Sequence, residues 1–276
     1  MKRLYVSDLD GTLFTTKKQL SDHTVRLLNA CIDQGTCFAV ATARMPYACD
    51  YRLSDLHLQI PSILTNGVFL YDFSLQEYLD VKVIAKEQVR QVLSVFKQQK
   101  TGVFLYTFLQ NRISIFYNRP EMTRQTQYYS DKALKACKRV ALCQDLESAA
   151  EQEDVVYLAC TGSKEDLEPI KAAAEQIPGV RCAFYLNIYN GQYCLEIFSG
   201  KAAKSNALLA LKRRLGCSEA VVFGDNLNDL SMIQAADRSY AVANALEEVK
   251  GRATDVIGSC DEDGVAKFIH REVFGC

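Results

Sequence analysis

A chain of 276 residues with 49% hydrophobic and 24% charged side chains is an ordinary globular sequence, long enough for one large domain or two of usual size. Its 32 basic and 33 acidic residues leave a net charge of −1 and a pI near 6.3, which argues against a nucleic-acid-binding surface or one for anionic membranes. No stretch approaches the roughly 18 consecutive apolar residues that span a bilayer. The apolar run after Met1-Lys2-Arg3 stops at Ser7 and Asp8, too early for a signal-peptide core, so a cytoplasmic location is expected.

Leu4-Tyr5-Val6 reads as a short buried strand that ends where carboxylates begin, in Asp8-Leu9-Asp10-Gly11-Thr12. Two acids one residue apart disfavour each other's ionisation, and Gly11 marks a tight turn. The pattern suits a carboxylate nucleophile at Asp8, a general acid/base at Asp10 and a cation holding the pair. A solvated Asp-Gly turn is the plain alternative.

Ser21 stands where an N-cap would, ahead of Val25, Leu28, Cys31 and Ile32 at helical spacing, and Gly35 marks the stop. Cys37 to Ala41 reads as a buried strand ending at Thr42-Ala43-Arg44, and Pro46 would open a second helix. A third strand, Ser62 to Leu64, ends at Thr65-Asn66-Gly67. Buried strands that repeatedly end in small polar residues before a turn predict an open parallel α/β sheet with its ligand site at the carboxyl ends of the strands.

From about Val81 to Glu196 the strands alternate more and come in pairs. Val103–Leu109 and Arg112–Tyr117 flank a Gln110-Asn111 step that suggests a hairpin. Helices are predicted around Lys86–Lys97 and Lys164–Gln176, and strands around Val155–Thr161, Arg181–Leu186 and Tyr193–Phe198. An α+β domain over residues 82–198, inserted into a parallel-sheet domain of residues 1–81 and 199–276, is the expected organisation. The parallel pattern resumes with a helix from Ala203 to Leu215 stopped by Gly216. The buried strand Ala220–Phe223 then runs into Gly224-Asp225-Asn226-Leu227-Asn228-Asp229, with a helix through Met232 to Ala235 behind it. A strand Tyr240–Ala243 ending at Asn244 and a closing helix from Asp263 to Phe274 complete the chain.

The eleven cysteines are scattered singly, with no C-x-x-C pair, and read as buried free thiols rather than a disulfide framework or zinc site. His23, His57 and His270 lie far apart and near no acidic cluster in the sequence, which supports neither a histidine-based triad nor a zinc centre.

Four polar clusters remain: Asp8/Asp10, Thr42, Lys204, and Asp225/Asn228/Asp229. On neighbouring parallel strands they would converge on one crevice. Aspartates there supply hard oxygen ligands for Mg²⁺, while a hydroxyl and an ammonium would bind phosphate oxygens. Taken alone, Thr42 reads as a turn residue and Lys204 as a solvated helical lysine, while a simple helix cap is the plain alternative for the acidic run.

The succession D-L-D-G-T, A-T-A-R, T-N-G, a helical lysine and G-D-N-L-N-D resembles the haloacid dehalogenase superfamily of phosphohydrolases. The inserted α+β segment is similar to the type IIB cap of its Cof-like group, and the tail A-V-A-N-A-L-E-E-V-K fits the same pattern. The resemblance implies a Rossmann-like core with an inserted cap. It implies an aspartyl-phosphate on Asp8 and acid/base duty for Asp10, which needs a proton near pH 7. It also implies Mg²⁺ held by Asp8, the Asp10 backbone carbonyl and Asp225 with Asp229 in support, and phosphoryl oxygens held by Thr42, Ala43, Lys204 and Asn228.

Ala43 and Ser205 replace glycines usual in the family, and Ala43 would tighten its turn if a positive φ were needed there. Lys201 competes with Lys204 for the phosphate-binding role; the spacing from Glu196-Ile197 favours Lys204. The expected activity is Mg²⁺-dependent hydrolysis of small phosphorylated metabolites, sugar phosphates first, by a monomer or homodimer. A phosphosugar mutase and a catalytically silent phosphate-ligand sensor are the alternatives.

Overall fold

The computed structural model describes residues 2–126, 137, 139–187 and 191–275. The chain forms two compact units, Met1–Asp80 with Ala202–Cys276, and Val81–Lys201.

The first unit is built on a parallel sheet of β1 (Arg3–Ser7), β2 (Cys37–Val40), β12 (Glu219–Gly224), β13 (Arg238–Val242) and β14 (Asp255–Ile257). Their order is β14-β13-β12-β1-β2, and every adjacent pair is parallel. β1, β2 and β12 are buried almost throughout, which is why they read as unbroken apolar runs rather than alternating ones. The chain leaves β1 toward β2 on one side and returns through β12 on the other. The strand order therefore reverses at β1, and the loops after β1 and β12 part to open a crevice at their carboxyl ends.

The helix Asp22–Asp33 is capped by Ser21, whose hydroxyl accepts the Thr24 amide. It packs on the closing helix Gly264–Phe274, which buries Val265, Ala266, Phe268 and Ile269. Pro46 opens a three-residue 3₁₀ turn, followed by the short helix Asp50–Leu53.

β3 (Ser62–Leu64) is the expected third short strand, but it joins the parallel sheet only at its edge. It touches β2 through the single parallel bridge Ala41–Ile63. Its ladder is instead antiparallel, with β4 (Phe69–Asp72), in a three-stranded sheet completed by β5 (Glu77–Val81). At three residues β3 is too short to pair fully on both edges.

The second unit has a six-stranded sheet ordered β10-β11-β9-β6-β7-β8. Its strands are β6 (Phe104–Leu109), β7 (Arg112–Tyr117), β8 (Arg139–Leu142), β9 (Asp154–Gly162), β10 (Val180–Asn187) and β11 (Gln192–Ser199). Gln110 and Asn111 both take left-handed φ, 52° and 61°, the geometry of a tight hairpin turn between β6 and β7. Helices Lys86–Gln98, Leu146–Gln152 and Lys164–Ala174 supply Val89, Leu93, Phe96, Leu146, Leu167 and Ile170 to a core shared with Leu105, Leu158, Leu195 and Ile197 of the sheet.

Among the described residues ten cysteines are free, and seven of them, from Cys31 to Cys260, are buried; burial pushes the Cys31 and Cys260 thiols up. Cys276 lies outside the described residues. The histidines are less isolated than the sequence suggested: His23 Nδ1 lies 3.0 Å from Asp263 Oδ2 and His57 Nδ1 lies 2.8 Å from Asp33 Oδ1. The chain brings these partners together from up to 240 positions away, which spacing cannot reveal. Among the described residues, no helix is long and apolar enough to cross a membrane.

Candidate active site

Asp8 follows β1 directly, and its amide donates to the Phe223 carbonyl of β12 (3.0 Å), so the two strands deliver Asp8 and Asp225 side by side. Lys204 begins the helix Lys204–Leu215 and is 2% exposed. Its Nζ donates to Asp8 Oδ1 (2.6 Å) and to Asp229 Oδ1 (2.7 Å). Asp229 is fully buried at the end of a 3₁₀ turn, and its Oδ2 accepts the amides of Asp225 (3.1 Å) and Asn226 (3.2 Å). Asp225 Oδ1 accepts the Thr12 hydroxyl (3.0 Å).

Three carboxylates and one ammonium thus share a small buried volume. Burial, the Asp229 charge and Asp225 push the Asp8 carboxyl well up, against the pull of Lys204. Burial and Asp229 push Asp225 up to about 6. Burial disfavours the Lys204 charge, but the Asp229 and Asp8 carboxylates outweigh it and the ammonium is pushed up. A surplus of negative charge remains, and carboxylate oxygens of Asp8, Asp225 and Asp229 lie within 4.8 Å of one another. That donor set fits a hard divalent cation such as Mg²⁺. Asp8 Oδ2 and Asp225 Oδ2 have the freer oxygens, because both Asp229 oxygens already serve Lys204 and backbone amides.

Asp10 stands apart from this cluster. Its two oxygens accept from Arg44 Nη2 and Nε, each at 2.6 Å, and the guanidinium also lies 5.8 Å from the Phe14 ring centroid. The sequence reading quoted Arg44 only as the end of A-T-A-R and gave it no role. The contact spans 34 positions, and no local spacing signals it. Thr42 is buried one residue beyond the β2 bridge at Ala41, beside the strand that ends in Asp8, and its hydroxyl accepts the Arg44 amide (3.1 Å). Ala43 does not take a positive φ, so the tightening expected of alanine there does not arise. Asn228 is exposed on the 3₁₀ turn. It lies apart from the contacts that join Asp8, Lys204 and Asp229. Lys201 is exposed where Lys204 is buried.

Two glycines set the close approaches. Gly11 has φ +81°, and a Cβ there would stand 2.4 Å from Asp225 Oδ2. Gly67 has φ +92°, and a Cβ there would meet the Ala203 backbone at 2.5 Å. The T-N-G turn is thereby packed against the residue that caps the Lys204 helix, a supporting role that its sequence did not disclose. Asn244, read from the sequence only as a strand end, donates through Nδ2 to the Gly11 carbonyl (2.7 Å) and accepts the Cys260 amide at Oδ1 (2.9 Å). It pins the loop carrying Asp8 and Asp10 to the turn before the closing helix.

The family model for haloacid dehalogenase-like hydrolases matches residues 5–269. Pyridoxal phosphate phosphatase YbhA of Escherichia coli is 26% identical over 275 residues, with 97% of each chain covered. The Bacillus subtilis 5-amino-6-(5-phospho-D-ribitylamino)uracil phosphatase YwtE is 25% identical over 285 residues, again with 97% of each covered. Among solved structures, a haloacid dehalogenase-like hydrolase from Bacteroides thetaiotaomicron superposes with a TM-score of 0.78 at 23% identity, over 99% of this chain and 100% of that one. The subclass IIB sugar phosphatase BT4131 gives 0.73 at 23% identity, over 100% and 99%.

Proposed function

Because this chain belongs to the haloacid dehalogenase-like hydrolases, we propose that it is a Mg²⁺-dependent phosphatase acting on a small phosphomonoester in the cytoplasm. The relatives named for pyridoxal phosphate and for a phosphoribitylamino-uracil support that substrate range. The observation that carries the reading is the buried Lys204 bridging Asp8 and Asp229 beside Asp225.

In this reading Asp8 attacks phosphorus, the ester oxygen leaves, and water then cleaves the resulting aspartyl-phosphate. The ammonium, Thr42, the Ala43 backbone and Asn228 bind the phosphoryl oxygens as charge grows on them. Asp10 gives a proton to the leaving oxygen and later takes one from water. For that, Arg44 must release one of the two oxygens it holds. Mg²⁺, held by Asp8, the Asp10 carbonyl and Asp225 with Asp229 in support, would neutralise the excess carboxylate charge and polarise the phosphoryl group. Residues 82–198 would serve as the cap that selects the leaving group.

The test is phosphate release from a panel of phosphorylated metabolites with Mg²⁺, wild type beside Asp8→Asn. Release that disappears in the variant and on chelation is expected. A folded, Mg²⁺-binding protein that releases no phosphate from any compound would overturn the hydrolase reading.

A further inference from the structure

Parallel pairing of β12 with β13 sets Gly224 opposite Ala241, so the turn that follows β13 runs beside the loop carrying Asp225. That turn grips both walls of the crevice. The Leu246 amide donates to the Asp225 carbonyl (3.0 Å) and so holds the loop after β12. Asn244 Nδ2 donates to the Gly11 carbonyl (2.7 Å) and so holds the loop after β1. The other end of the Asn244 carboxamide is anchored as well, since Oδ1 accepts the Cys260 amide (2.9 Å). One partner is an acceptor and the other a donor, so a single orientation of the amide satisfies both.

The Cys260 end is tied to the body of the unit. In the same turn the Asp263 carboxylate accepts the hydroxyls of Ser21 and Thr24, at the start of the helix Asp22–Asp33. Asn244 is therefore a strut between a held turn and a backbone carbonyl at the rim of the site. A strut is needed there because the walls repel each other. Asp8, Asp225 and Asp229 set three carboxylates against one ammonium, and Gly11 is packed so closely on Asp225 that a Cβ would not fit between them. With the strut removed, the Thr12 hydroxyl must carry the tie between that turn and Asp225.

We propose that Asn244 is a positioning residue for the divalent cation, and that by fixing the Gly11 carbonyl it keeps the crevice at a width that favours Mg²⁺ over Ca²⁺. Mg²⁺ demands near-ideal ligand placement at roughly 2.0–2.1 Å, whereas Ca²⁺ accepts looser shells at roughly 2.3–2.6 Å. A crevice free to widen loses affinity for the smaller ion first. The inference rests on the Mg²⁺-dependent reading of the site and deepens it.

Melting temperature followed against rising Mg²⁺ and, separately, Ca²⁺ gives an apparent Kd for each ion without any turnover. Asn244 is exposed, so Asn244→Ala leaves the core intact. The variant should bind Mg²⁺ about fivefold more weakly and Ca²⁺ nearly as wild type does, which moves the ratio of the two Kd values by about threefold or more. Asn244→Asp serves if the alanine variant does not fold. It keeps an oxygen for the Cys260 amide but turns another against the Gly11 carbonyl. Its added charge strengthens both ions alike, so the ratio should still move toward Ca²⁺. Asp261→Ala is the control: Asp261 holds the Thr16 amide and hydroxyl further along the same loop, and its loss should leave the ratio as in wild type. An unchanged ratio in the folded Asn244 variants, or the same shift in Asp261→Ala, would overturn the inference and leave the phosphatase reading standing. A wild type stabilised by neither ion would sink the metal reading and the inference together.

Discussion

Lys204 Nζ lies 2.6 Å from Asp8 Oδ1, and both side chains are nearly sealed from solvent, at 1% and 7% exposure. A buried ion pair contributes little net stability when intact, but losing one partner leaves the other charge stranded. Lys204→Met strands Asp8 and Asp229 together. We expect a loss of about 3–5 kcal/mol in chemical denaturation and of about 10²–10³ in kcat. Adding Asp229→Asn should recover part of the stability and none of the turnover. A single variant with wild-type kcat would remove Lys204 from the site.

Gly11 and Gly67 make a paired prediction, because each turns with a positive φ against a different wall of the site. Gly11→Ala drives a methyl into Asp225 Oδ2, so the half-saturating Mg²⁺ concentration should rise by about tenfold or more. Gly67→Ala presses on Ala203 and displaces the helix carrying Lys204. Its effect should fall on phosphate affinity, with Mg²⁺ dependence unchanged. Each also costs about 1 kcal/mol through the left-handed φ alone. Identical effects of the two on metal and phosphate would contradict the assignment.

Much of the first unit was legible because its strands are buried on both faces and end in carboxylates, hydroxyls or glycine. Ser21, Gly216 and the Gln110-Asn111 step announced their cap, stop and turn through local chemistry that needs no distant partner. What stayed hidden depends on residues far apart in sequence. Arg44 on Asp10, Asn244 on Gly11 and Gly67 on Ala203 are contacts across 34, 233 and 136 positions, and no periodicity encodes them. The short strand Ser62–Leu64 joins the parallel sheet by a single bridge and ladders antiparallel with β4, because three residues carry no signal of which edge they pair along.

Arg44 occupies both oxygens of Asp10. If Asp10 is the acid that protonates the leaving oxygen, Arg44 positions it, and removing the fork should hurt substrates in proportion to their need for a proton. Arg44→Gln should lower kcat by about tenfold for an alkyl phosphate and by much less for p-nitrophenyl phosphate, whose leaving group departs without protonation. Arg44→Lys, with one point charge in place of the fork, should fall between. A uniform loss across leaving groups would instead make Arg44 a phosphate ligand.

Glu272 closes the closing helix onto the starts of the parallel strands: Oε2 accepts from Arg238 Nη2 (2.8 Å) and Arg3 Nη1 (3.3 Å), while both arginines also reach Glu219. The Arg238 hydrogen bond holds its carboxyl below the ordinary value of 4.5. A carboxyl with a depressed folded-state pKa binds fewer protons folded than unfolded just below that value. Its stabilisation is therefore complete above about pH 5 and drains away as pH falls through the depressed value. Glu272→Gln should be less stable than wild type by about 1 kcal/mol at pH 7, the modest figure that suits a partly exposed pair. The gap should close toward pH 3, where wild type is protonated too. Asp8 and Asp225, whose carboxyls are pushed up, shift absolute stability the opposite way over their own range. They do so equally in both proteins, so the difference between the two denaturation curves isolates Glu272. A gap that persists unchanged at pH 3 would mean that packing, not charge, holds the helix there.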